Sequence, residues 1–84
     1  MEKIEVKGYY LGERFDLKIL KNSLTFDCIY EDPTEIIYQL DETIYFQVFD
    51  YGSLVFFGVD AIRQTNIINT VRNILSLPLA ELQS

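Results

Sequence analysis

Thr43 to Ser76 limits the possible folds more than any other stretch: an aromatic strand, a turn at Asp50-Tyr51-Gly52-Ser53, a second apolar strand and one amphipathic helix. Two runs of Tyr, Phe, Val and Ile, Thr43 to Phe49 and Ser53 to Val59, flank a short glycine-containing turn, which predicts an antiparallel hairpin. Asp60 then has the chemistry of a helix cap. Ile67, Ile68, Val71, Ile74 and Leu75 recur along one helical face until Pro78 stops the helix. A hairpin followed by a helix with one greasy stripe must lay that stripe on the sheet, which begins a layered α+β unit.

The first half supplies the remaining pieces. Ile4 to Leu11 starts as an alternating strand, with Ile4 and Val6 expected inward and Glu5 and Lys7 outward. Asp16 to about Ser23 reads as a short helix, because Leu17, Leu20 and Leu24 share a face behind an Asp cap. Thr25 to Tyr30 reads as a strand with Phe26, Cys28 and Tyr30 together on one side. Asp32-Pro33-Thr34-Glu35 carries the signature of a helix start, yet Ile36 to Leu40 has strand composition, and both readings stay open. At 84 residues there is room for one core, so residues 1–84 form a single domain, with 77–84 a linker or the start of a continuation. The expected architecture is a small two-layer α+β sandwich: an antiparallel sheet of about four strands with two helices on one face, ferredoxin-like or related.

Charge and chemistry exclude more than they suggest. Seven basic and thirteen acidic residues give a net charge of -6, whose field repels phosphate backbones and anionic lipid, so neither nucleic acid nor a membrane is an expected partner. Without histidine the chain cannot assemble a Ser-His-Asp or Cys-His site by itself. Cys28, the lone cysteine, can form no internal disulfide, and in an apolar strand it is expected to be a buried, inert thiol. With no apolar leader at the amino terminus, a reducing cytoplasmic setting is expected. Asp41-Glu42 sits in turn sequence with no calcium-loop spacing, so no metal is expected. Gly8, Gly12, Gly52 and Gly58 are too scattered to cradle a phosphate, and no cofactor is expected. Gly52 suits the hairpin turn, and Gly58 a close approach of the second helix. Tyr51 to Gly58 is superficially similar to a base-stacking strand of RNA-recognition folds, but it lacks the leading Lys or Arg. An enzyme is not indicated.

A surface is. Ile44, Phe46 and Val48 face one way along the first hairpin strand, while Tyr45 and Phe49 face the other with only Gln47 between them. Two layers cover only one side of a sheet, so Tyr45, Phe49, Tyr51 and Phe57 are the candidate interaction residues of a protein-binding or assembly module, self-associating or meeting the rest of a parent chain. Ile62, Asn66, Asn69 and Asn73 add an uncharged ridge on the outer side of the helix. The alternative is a small-molecule-sensing domain with a ligand between the layers, for which Gln47 and Tyr38 would supply the polar groups.

Phe49-Asp50-Tyr51-Gly52-Ser53-Leu54-Val55-Phe56-Phe57-Gly58-Val59 resembles the required-for-meiotic-nuclear-division (YagE-like) family, in which an aromatic strand ends in aromatic-x-aromatic-Gly and continues through Val-Val-Phe-Trp-Gly. Phe57 stands where that family often has Trp, and Asp60-Ala61-Ile62-Arg63 replaces its acidic helix opening. With Phe15-Asp16-Leu17-Lys18 resembling its first helix start, the similarity spans about Phe15 to Leu75. The resemblance implies the amino-terminal domain of a longer protein that ends in membrane-inserting helices. It implies no enzyme activity and no catalytic residues, and by analogy with the mitochondrial members a scaffold or assembly role.

Overall fold

The computed structural model describes residues 4–12 and 14–75. Its elements follow as β1 (Val6–Tyr10), α1 (Leu17–Ser23), β2 (Asp27–Glu31), β3 (Glu35–Asp41), β4 (Ile44–Phe49), β5 (Ser53–Phe57) and α2 (Ala61–Leu75). All strands join one antiparallel sheet in the order β1-β5-β4-β3-β2. The two-layer α+β sandwich is therefore present, with five strands where the sequence suggests about four. The strands run as a meander with β1 added beside β5, whereas the ferredoxin-like arrangement would interleave them.

That order dictates where α1 lies. β1 and β2 occupy opposite edges, four strand spacings or roughly 19 Å apart. The chain must cross a sheet face between them, and α1 spans about half that distance at 1.5 Å per residue. Asp16 starts it, its Oδ1 accepting from the amides of Lys18 (3.1 Å) and Ile19 (3.2 Å). Once across, Phe15, Leu20 and Leu24 meet Ile67, Ile68 and Val71 of α2 over Ile36, Tyr38, Phe46, Val48, Leu54 and Phe56 of the sheet. Phe46 is the hub, with ring centroids of Tyr38 at 5.0 Å, Phe26 at 5.4 Å and Phe56 at 6.0 Å. The expected helix stripe is in place, Ile74 and Leu75 flanking the core half-buried. Asp60 Oδ1 accepts from the amide of Arg63 at 2.9 Å, as a cap should. Pro78 and the segment from Leu77 to Ser84 lie outside the described residues.

Several local expectations change. The undecided segment is β3, and the helix-start chemistry before it closes a hairpin instead. Asp32 Oδ1 accepts from the amides of Thr34 (2.8 Å) and Glu35 (3.0 Å) and from the Thr34 hydroxyl (2.9 Å), the bonds an Asx turn makes as readily as a helix cap. In β1 the inward side is the opposite one: Val6 is 60% exposed, and Tyr9 packs on Phe56 in an edge-to-face pair at 5.8 Å. β2 has a register shift between Cys28 and Tyr30, so Cys28 opposes Tyr38 while Tyr30 opposes Ile37 on the other face. As an edge strand β2 is exposed throughout, and Cys28 is exposed where burial was expected. Gly58, at φ 72°, does not admit α2. A Cβ there would meet the Thr43 carbonyl oxygen at 3.4 Å, so the close neighbour is the β3–β4 turn.

Candidate interaction surface

Cross-strand register places every residue of the uncovered face. Val6, Tyr45 and Phe57 lie in one row across β1, β4 and β5; Gly8, Val55, Gln47 and Ile37 form the next; Tyr10 and Ser53 lie beyond them on β1 and β5, and Glu35 opposite Phe49 on β3 and β4. Gln39 continues the first row beside Tyr45, and Asp27 beside Gln39. No helix among the described residues covers this side, because α1 and α2 both share the core with the opposite face.

The four candidate residues fall into two pairs at opposite ends of the β4–β5 hairpin. Tyr45 and Phe57 are direct cross-strand partners at one end. At the other, the Phe49 and Tyr51 rings stack at 5.1 Å with 28° between their planes, though Tyr51 is 55% exposed in the turn. Tyr45 is anchored by its hydroxyl, which donates to the Glu42 carbonyl at 2.9 Å. Strand order adds what no single segment reveals: Ile37 from β3, Val55 from β5, and Val6 and Tyr10 from β1 extend the apolar face to one edge. Gly8 has no side chain to set against Val55, which leaves a hollow of about 340 Å³ whose lining includes Tyr10, Tyr51, Ser53 and Val55.

Charge is unevenly distributed around this face. From Asn22 to Ile62 the chain has eight carboxylates and no lysine or arginine. Glu31, Asp50 and Asp60 pair with Lys21, Arg14 and Arg63, cations from outside that stretch. Asp27, Asp32, Glu35, Asp41 and Glu42 form no ion pair among the described residues. Lys7, the cation of β1, lies on the helix side with its ammonium 5.7 Å from the Tyr9 ring centre. Asp32 holds its carboxyl below the ordinary aspartate value, chiefly through the Thr34 amide and then the Tyr30 hydroxyl, which donates to Oδ2 at 2.8 Å. The same bond to a carboxylate pushes the Tyr30 phenol up.

No group of His, Cys, Asp and Glu among the described residues could hold a metal ion, and no described helix is long and apolar enough to cross a membrane. The polar pair suggested for a ligand pocket does not converge: Gln47 lies on the open face, and Tyr38 is buried in the core. A cleft of about 350 Å³ does open beside α2, lined by Phe26, Leu40, Arg63, Asn66 and Ile67. No family model matches this chain, and no curated protein or solved structure is significantly similar to it.

Proposed function

We propose that this chain is a non-enzymatic protein-interaction or assembly module that binds through the uncovered sheet face, in a cytoplasmic setting. The observation that supports it is the set of half-buried apolar residues Tyr45, Phe49, Val55, Phe57 and Ile37 around Gln47 on one sheet face, behind which the other face is already packed. Site-specific photo-crosslinkers at positions 45 and 57, with position 62 on the exposed outer side of α2 as control, test this in cells. A discrete adduct from 45 and 57 but not from 62 is expected. Its mass distinguishes a second copy of 9.8 kDa from another protein or a parent chain. Adducts that are absent from 45 and 57, or identical from all three positions, remove the reading.

The second reading is a small-molecule-sensing domain, favoured by the cleft that Arg63 and Asn66 line together with Phe26, Leu40 and Ile67. A lining that mixes polar and apolar residues suits a small amphipathic molecule. A thermal-shift screen of such compounds is its test, since a binder of the folded state raises Tm. Shifts that survive Arg63→Met would detach it from this cleft.

A further inference from the structure

We infer that the occupant of the open face is a cationic amphipathic helix of a protein partner, not a second copy of this chain; this rests on the docking reading above. The acidic residues fix the choice. Asp27 and Glu35 stand on the face itself by register, and Asp32 sits beside the Tyr30 end of β2. Glu42 places its carbonyl at the Tyr45 hydroxyl. These carboxylates gather toward β2 and β3, whereas the β1 and β5 side offers Val6, Tyr10, Val55 and Phe57 with no charge. A second copy laid face to face would bring a second set of carboxylates and, among the described residues, no cation on that face to meet them, whereas a cationic partner supplies one.

A helix answers both halves. β4 runs six residues, about 20 Å, and the five-strand sheet is about 19 Å wide, so the face seats one helix of roughly thirteen residues with side chains about 10–12 Å across. Its apolar stripe lies along Tyr45, Val55 and Phe57, with a leucine-sized knob in the hollow at Gly8. Lysine or arginine on one flank then reaches Asp27, Glu35 and Asp32.

The test uses the full chain and three synthetic peptides of equal length: a helical Leu/Lys peptide with its leucines on one face, the same peptide with Glu for Lys, and a scrambled Leu/Lys peptide with no apolar face. Backbone NMR shifts locate binding and titrations give Kd. The expected result is binding of the first peptide with shifts in β3, β4 and β5, and binding of the other two weaker by about tenfold or more. The double substitution Asp27→Asn with Glu35→Gln should weaken the first peptide about fivefold and flatten its salt dependence. Neither side chain makes a described bond, so the variant keeps the fold. If the Glu peptide binds the face as tightly as the Lys peptide, the cationic partner is wrong while the docking face stands. If the scrambled peptide matches the first, only bulk charge is being read and the inference falls. If no peptide shifts the face, both the inference and the docking reading fail.

Discussion

The two faces of this sheet carry similar apolar residues and bury them to different extents. Toward the helices stand Ile36, Tyr38, Phe46, Val48, Leu54 and Phe56, none more than 2% exposed. Away from them stand Ile37, Tyr45, Phe49, Val55 and Phe57, all half-buried. Side-chain hydrophobicity alone does not separate the two sets. What does is connection: α1 has to cross from one edge to the other, α2 returns over the same side, and the second face is left with Gln39, Gln47, Ser53 and carboxylates among its rings. Burial follows from topology here, and the apolar residues of the other face stay half-buried.

The sharpest way to break this contrast is to cut the same chemistry from both faces. Phe46→Ala removes a ring with three aromatic neighbours from a fully buried site and should cost about 3–5 kcal/mol, against a total of about 5 kcal/mol or little more for a domain this small. Phe57→Ala, at a half-buried site on the open face, should cost less, about 1–2 kcal/mol. Urea denaturation monitored by circular dichroism checks both. Equal losses would mean that the outer face is core, and the separation of roles would disappear.

How far this contrast was legible in the sequence depends on how local each signal is. The β4–β5 hairpin, both helices and their Asp caps depend on neighbours a few residues away, and those signals are sound. Tyr45, Phe49, Tyr51 and Phe57 are likewise readable as a group because they flank one turn. Ile37, Val55, Val6 and Tyr10 belong to the same surface only through strand order, which no segment encodes by itself. The errors share that origin. Cys28 was expected inside because its strand is apolar, but an edge position and a bulge expose it. Asp32 satisfies a helix cap and an Asx turn equally well, and only the pairing of β3 with β4 decides between them.

A smaller effect probes a polar atom that the packed face leaves unpaired. The Tyr38 hydroxyl is buried with no hydrogen-bond partner among the described residues, and burial pushes its pKa from 10.0 up to about 12. Tyr38→Phe should therefore be neutral or stabilise the fold by about 1 kcal/mol. The folded state holds this proton more tightly than the unfolded chain does. Its contribution is complete below pH 10 and is lost as the pH rises toward about 12. Denaturation midpoints measured across that window should fall in the parent chain and fall less in Tyr38→Phe. Parallel declines would show that the hydroxyl has another way to be satisfied.

The smallest effect lies where the acidic border meets the edge hairpin. Asp32 gathers the Thr34 and Glu35 amides on one oxygen and the Tyr30 hydroxyl on the other, so its ionised form is favoured in the folded chain. Because the folded pKa is depressed, the contribution is present above the unfolded aspartate value and is lost as pH falls through the lower, folded one. An NMR titration of the Asp32 carboxyl should give a midpoint below that of a free aspartate, and Tyr30→Phe should move it partway back. Amide exchange in β2 should quicken over the same acid range while β4, held between two strands, keeps its protection. A normal midpoint would mean that the turn is held by backbone pairing alone, leaving the Asp32 carboxylate only its place in the charged border proposed to meet a cationic partner.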